Sequence, residues 1–183
     1  MRHVGRLSAV LTVMFSLISI SAVGTAQMSS AATTTGVVAS YDGATLNLSQ
    51  SWGTATVCVV ATSGTNCFTT PGDYQTWRST QLRASPAAGA LPLAGCSASL
   101  SLYQNLNYGG LSLIVTTPLV WINLSSYGLG NAVSSYQVGG CSVSMTDGAN
   151  GSGNVYPGAT SAGSNVSWIG TAWNDRINSV YIW

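Results

Sequence analysis

The sequence predicts an all-β protein: two Greek-key units joined as one sandwich, preceded by a small disulfide-pinned β-hairpin appendage with one short helix. Three observations lead there. Residues 96–140 and 141–183 repeat one another. "CSASLSLY" at Cys96 and "CSVSMTDG" at Cys141 share C-S-x-S-apolar 45 residues apart, and "GNAVSSYQV" at Gly130 matches "NDRINSVYI" at Asn174 in polarity 44 residues apart. Runs such as "SASLSLY", "SSYQVGG" and "NSVYIW" alternate small-polar with apolar residues, the period of a half-buried strand. Turn-forming clusters punctuate them ("NLNYGG", "SYGLGN", "TDGANGSGN", "YPG"), and no part of 96–183 sustains a 3.6-residue apolar stripe. About four strands per copy, twice, suits two Greek keys in a single sandwich.

The chain begins with "MRHVGR", the apolar run Leu7 to Ile20 and small residues at Gly24 and Ala26. That order of basic, apolar and small residues predicts a cleaved export signal over 1–26, and hence a secreted, extracellular protein. The alternative is an uncleaved anchor, but the run falls short of the ~20 residues that span a bilayer as a helix. No membrane contact is expected once the signal is removed. "QMSSAATTT" (27–35) reads as a flexible leader. Residues 36–84 form the appendage. "GVVASYDGATLNLSQ" is a hairpin about Asp42-Gly43, and "CVVATSGTNC" is a second, with its turn near Ser63-Gly64. "PGDYQTWRSTQLRA" (Pro71 to Ala84) is the helix, its aspartate suiting the positive helix start. The Pro/Ala/Gly-rich 85–95 reads as a linker to the domain at 96–183.

Composition excludes much chemistry. After the expected signal the chain holds Arg78, Arg83 and Arg176 against Asp42, Asp73, Asp147 and Asp175, with no lysine, glutamate or histidine. Without imidazole there is no Ser-His-Asp or Cys-His nucleophile and no histidine-based zinc or copper site. A non-enzymatic protein is expected; the alternative is a hydrolase using paired aspartates. No basic patch is present to bind nucleic acid. Four cysteines in an exported chain predict two disulfides. Three connectivities are possible. Proximity favours Cys58–Cys67, and the repeat favours Cys96–Cys141. A four-thiolate metal site lacks its usual CxxC spacing.

"YQNLNYGG" places Tyr103, four residues, Tyr108, one residue, Gly110, and "GNAVSS" and "NDRINS" follow at the ends of the copies. Together these resemble the βγ-crystallin Greek key: an aromatic-x4-aromatic-x-glycine hairpin, then a hexapeptide of two Asn/Asp, two variable residues, Ser/Thr and Ser. The resemblance covers 96–183, and the whole layout is similar to secreted actinobacterial proteins that carry such a domain. It implies Tyr103 packed as a corner on the hairpin and Gly110 in a backbone shape that a Cβ would resist. It also implies two weak calcium sites, each assembled from both hexapeptides. One would use Asn131, the Ala132 carbonyl and Asn178. The other would use Asp175, the Arg176 carbonyl and Ser134, with the Arg176 guanidinium turned outward. Gly130 departs from the expected Asn/Asp and Asn178 from the expected Ser/Thr, so the Asp175–Ser134 site should be the better one. The alternative is a hexapeptide serving only as a turn, its polar side chains bonding local backbone.

Other candidates are weaker. Asp42 reads as a turn residue. Asp147 resembles the opening of an EF-hand loop without the terminal glutamate, and reads as part of a flexible loop. Trp52, Trp77, Trp121, Trp168, Trp173 and Trp183 suit core or corner packing more often than a sugar-stacking face. Asn47, Asn123 and Asn165 head glycosylation triplets, which arise easily by chance. The function expected is a monomeric, weakly calcium-binding extracellular module. The alternatives are an inhibitor of secreted metalloproteinases, a role similar bacterial proteins of this layout perform, and a cell-wall-binding or toxin-like protein acting on a cell-surface component. For inhibition, a rigid loop in 146–165 or near the Cys96–Cys141 pair would enter the protease cleft.

Overall fold

Asp42 and Gly43 both adopt left-handed backbone, with φ of 51° and 77°. Two such residues in series match the twist of flanking strands, which is why an Asp-Gly pair closes this hairpin. The structure, a computed structural model, describes residues 36–84 and 96–183; the expected signal, leader and linker lie outside the described residues. The first hairpin joins β1 (Val38–Tyr41) to β2 (Ala44–Asn47). The second joins β3 (Val57–Ala61) to β4 (Gly64–Phe68), with Cys58 directly opposite Cys67 and bonded to it. Ala61 faces Gly64, so Thr62-Ser63 makes this turn, one residue before the expected place. Helix α1 (Pro71–Ala84) follows at its expected bounds. Thr70 Oγ1 accepts from Asp73 N at 3.2 Å while Asp73 Oδ2 accepts from Thr70 N at 3.0 Å, a reciprocal cap with proline at the first helical position. Tyr74 and Trp77 lay the helix against Phe68, Val57, Val59 and Ile114.

The sandwich follows the repeat. Its first copy supplies β5 (Leu100–Tyr103), β6 (Ser112–Val115), β7 (Ile122–Asn123) and β8 (Ser135–Val138). The second supplies β9 (Val143–Thr146), β10 (Asn165–Val166) and β11 (Ser179–Ile182). β10 pairs with β8 of the first copy, and β7 pairs with β11 of the second. Each copy therefore lends its third strand to the other's sheet, so neither closes without its twin. The second copy lacks a full partner for β9 on its outer side; a lone bridge, Thr146 to Val155, stands there instead of the fourth strand expected. Alternation sends Leu100, Leu102, Leu113, Val115, Tyr136 and Val138 inward from one sheet, against Val143, Met145, Val180 and Ile182 from the other. Burial of each such side chain stabilises by about 1.5–3 kcal/mol. Cys96–Cys141 ties the two copies at equivalent positions.

Residues 36–84, read from the sequence as an appendage outside the repeat, share this sheet. β3 runs parallel to β6, from Val57 opposite Ser112 to Val60 opposite Val115, and β4 runs parallel to β1. One eight-stranded sheet results, in the order β10-β8-β5-β6-β3-β4-β1-β2, facing the three-stranded β7-β11-β9. Ala39, Leu48, Trp52 and Ala55 enter the same core as the sandwich residues. Trp52 Nε1 donates to the Tyr127 carbonyl at 2.7 Å, and Val37 N donates to the Ser126 carbonyl at 2.9 Å. Gly128 (φ 72°) lies so close beneath that a Cβ would sit 2.4 Å from the Leu48 carbonyl oxygen.

Candidate functional site

Two hairpin loops and the two hexapeptides build the candidate site. In the first loop Tyr103 stands edge-on to Tyr108, ring centroids 5.5 Å apart, and its hydroxyl donates to Gln137 Oε1 at 2.7 Å. Burial raises the Tyr103 phenol above its ordinary pKa. Gly110 holds φ 75°, and a Cβ on it would meet the Asn105 amide at 2.8 Å, the reason glycine stands here. Residues 146–153 form the second loop on the same plan. Asn107 and Asn150 share left-handed φ of 53° and 52°, and Gly153 (φ 80°) occupies the place of Gly110. Sequence reading missed this equivalence because Thr146 and Gly151 replace the two tyrosines. The paired asparagine and closing glycine, 43 residues apart, were the signal.

The last serine of each hexapeptide clasps its loop. Ser135 Oγ donates to the Asn105 carbonyl at 2.6 Å and accepts from Tyr108 N at 3.0 Å. Ser179 Oγ donates to the Gly148 carbonyl at 2.7 Å and accepts from Gly151 N at 3.0 Å. The hexapeptides also lock each other. Asn131 N donates to the Ile177 carbonyl at 3.0 Å, and Asp175 N donates to the Val133 carbonyl at 3.2 Å. Asn131 and Asp175 both take φ 56°, which an L-residue rarely adopts and Asn or Asp tolerates best. The corners thus face each other across a pseudo-twofold. Residues 96–183 form a βγ-crystallin-like domain.

Similar solved structures cover slightly under half of the chain. A βγ-crystallin domain from Clostridium beijerinckii is 26% identical over 46% of this chain and 97% of its own, at a TM-score of 0.39. A clostrillin double mutant in complex with nickel gives 26%, 46%, 97% and 0.39 for the same measures. A βγ-crystallin from Ciona intestinalis gives 22%, 46%, 99% and 0.38. No protein-family model and no curated protein matches the sequence.

Within the βγ-crystallin-like domain the two corners differ. At the first, Asn131, Ala132 and Asn178 meet, and the buried Asn178 Oδ1 has no hydrogen-bond partner. A Cβ on Gly130 would stand 3.0 Å from that oxygen and 2.9 Å from Ser125 backbone. The two departures from the family pattern thus adjoin, and the closest contact a Cβ on Gly130 would make is with Ser125 backbone. At the second corner Asp175 is exposed, and its Oδ2 accepts from Asn174 Nδ2 at 2.7 Å. Ser134 is buried beside it, under a cleft of about 600 Å³ lined with Asn105, Leu106, Trp168, Thr171 and Asn174. Among the described residues no three His, Cys, Asp or Glu side chains cluster as a metal site. The atoms that the resemblance assigns to the two corners are amide, hydroxyl, carboxylate and carbonyl oxygens, the kind of donor that suits a hard cation such as calcium.

The Arg176 side chain is turned outward and about half exposed, and its guanidinium is also held: it donates to Asp147 Oδ2 at 2.7 Å and to the Ala172 carbonyl at 3.0 Å, and lies 5.0 Å over the Trp173 ring. Asp147 in turn is no loose loop residue. It accepts from Asn154 N at 2.6 Å and Asn154 Nδ2 at 2.9 Å, holding both sides of the second hairpin loop. The remaining expectations for tryptophan divide. Trp52 is core, whereas Trp168 and Trp183 are exposed.

Proposed function

We propose that the protein is a secreted, non-enzymatic extracellular binding module whose βγ-crystallin-like domain is stabilised by calcium. The observation that carries this is the orphaned Asn178 Oδ1, a buried acceptor that folding alone leaves unpaired. Such a group costs about 1–3 kcal/mol unless something satisfies it, and a cation does so. Asn131, the Ala132 carbonyl and Asn178 would hold one ion; Asp175, the Arg176 carbonyl and Ser134 would hold the other. Bound calcium supplies no chemistry beyond charge neutralisation and cross-linking of the two corners. The chain supplies preorganised backbone: each corner is fixed by its reciprocal bond and its serine clasp before any ion arrives. Asp42, Asp73 and Asp147 serve a turn, a helix cap and a clamp. This supports a binding rather than a hydrolytic role.

Linkage gives the test. An ion at ten times its dissociation constant stabilises the fold by about 1.4 kcal/mol. The melting temperature should rise in calcium relative to chelator. Asp175→Ala should lose part of that rise. Asn178→Ala should lose part of it while melting no lower than wild type in chelator, since it removes an unpaired oxygen. Equal calcium shifts in all three proteins would rule out these ligands, and no shift in wild type would leave the hexapeptides as turns.

A further inference from the structure

We propose that the cleft beside the second corner binds a neutral saccharide, with the Trp168 indole as its stacking platform. The pseudo-twofold supplies an internal control. Ile169 N donates to the Ser134 carbonyl at 3.0 Å, as Leu124 N donates to the Asn178 carbonyl at 2.8 Å, so Trp168 holds the place of Asn123 in the other copy. There, Asn123 closes the corner: its Oδ1 accepts from Asn150 N at 2.7 Å and its Nδ2 donates to Asn150 Oδ1 at 2.8 Å. At the equivalent place in this copy, Asn107 N reaches the Ser167 carbonyl at 2.9 Å. The segment is pinned on both sides of Trp168, yet the indole is 54% exposed and the cleft stays open.

An exposed large aromatic on a fixed backbone loses little freedom when a ligand stacks on it. The rest of the lining selects the ligand. Asn105, Thr171, Asn174 and Ser134 offer amide and hydroxyl groups that both donate and accept, and Leu106 is half exposed beside them. None of the lining side chains is charged, which disfavours phosphorylated or acidic ligands. A pyranose presents an apolar C–H face to an indole and a rim of hydroxyls to such amides. The volume suits a few sugar rings.

The inference adds a ligand class to the binding-module reading, and its test is run in chelator so that it stands apart from calcium. The full protein, with its indole N–H resonances assigned, is titrated with chitotetraose, cellotetraose, xylotetraose and mannotetraose. At least one should move the Trp168 resonance and saturate at or below about 10 mM, the weak end expected for one stacked ring and a few exposed hydrogen bonds. Trp168→Ala should weaken that binding at least about tenfold and keep the wild-type melting temperature, while Trp183→Ala, exposed elsewhere, should bind as wild type. No shift with any of the four, or unchanged binding by Trp168→Ala, overturns the proposal.

Discussion

Asp147 closes the second hairpin loop by accepting hydrogen bonds from Asn154 and Arg176. Its neighbours "TDGANGSGN" carry no apolar periodicity, and a lone aspartate in glycine-rich chain reads as solvent-facing. Folding brings Asn154 across the loop and Arg176 from the opposite hexapeptide. Bonds from Asn154, side chain then backbone, and after them the Arg176 charge, hold the Asp147 carboxyl below the usual carboxylate range. A depressed value means stability that is fully present above the unfolded value of about 4 and is lost as pH falls through the lower folded value. Wild type should therefore lose melting temperature as pH falls below ~4, and Asp147→Asn should show a shallower loss over the same interval. Parallel curves for the two proteins, followed by circular dichroism, would show that the clamp carries no linked proton. Arg176 answers to the same geometry. Its carbonyl belongs to the cation corner and its guanidinium to the loop, so one residue fixes both.

At the scale of the element, local chemistry dictates most of what is seen. The Asp42-Gly43 hairpin and the Pro71–Ala84 helix form where their turn and cap residues place them. The helix depends on its start: Thr70 and Asp73 satisfy each other's backbone donors, and the residues that pack it on the sheet, Tyr74 and Trp77, lie in its first two turns. Thr70→Ala should cost about 1 kcal/mol of global stability in denaturant titration, the usual worth of such a cap. A cost below a few tenths would mean the Tyr74 and Trp77 contacts alone hold the helix. The 147–164 segment behaves differently. It has little regular structure, yet the Tyr136 hydroxyl donates to the Ala159 carbonyl at 2.6 Å, and Val143 N donates to the Thr160 carbonyl at 2.9 Å. It is tied to the sandwich by backbone groups that no residue pattern announces.

The whole molecule is decided by edges. β6 would be an exposed edge strand of the βγ-crystallin-like domain, with unpaired backbone groups along it. β3 covers that edge, α1 covers one face of β3, and Trp52 seals the other side into the common core. The described residues should therefore unfold in one cooperative transition. Trp52→Ala should cost about 3–5 kcal/mol, the range for a large buried aromatic, and lower the melting of the entire fold. Two separable transitions, or loss confined to the signal of residues 36–84, would show that the first hairpins fold on their own.

Sequence by itself determined the all-β class, the helix, the Asp42-Gly43 turn and the duplication, because alternation, caps, left-handed residues and repeat spacing act over a few bonds or between equal copies. It also brought Asn131 and Asp175 within reach of one another, since the family motif carries that symmetry. The tertiary structure alone decided what those corners can do. Whether Asn178 finds a donor, whether Arg176 reaches Asp147, and whether the corner at Trp168 is open depend on contacts between residues far apart in the chain. Those contacts are set by packing across the pseudo-twofold, where Gly130 of one copy lies against Asn178 of the other.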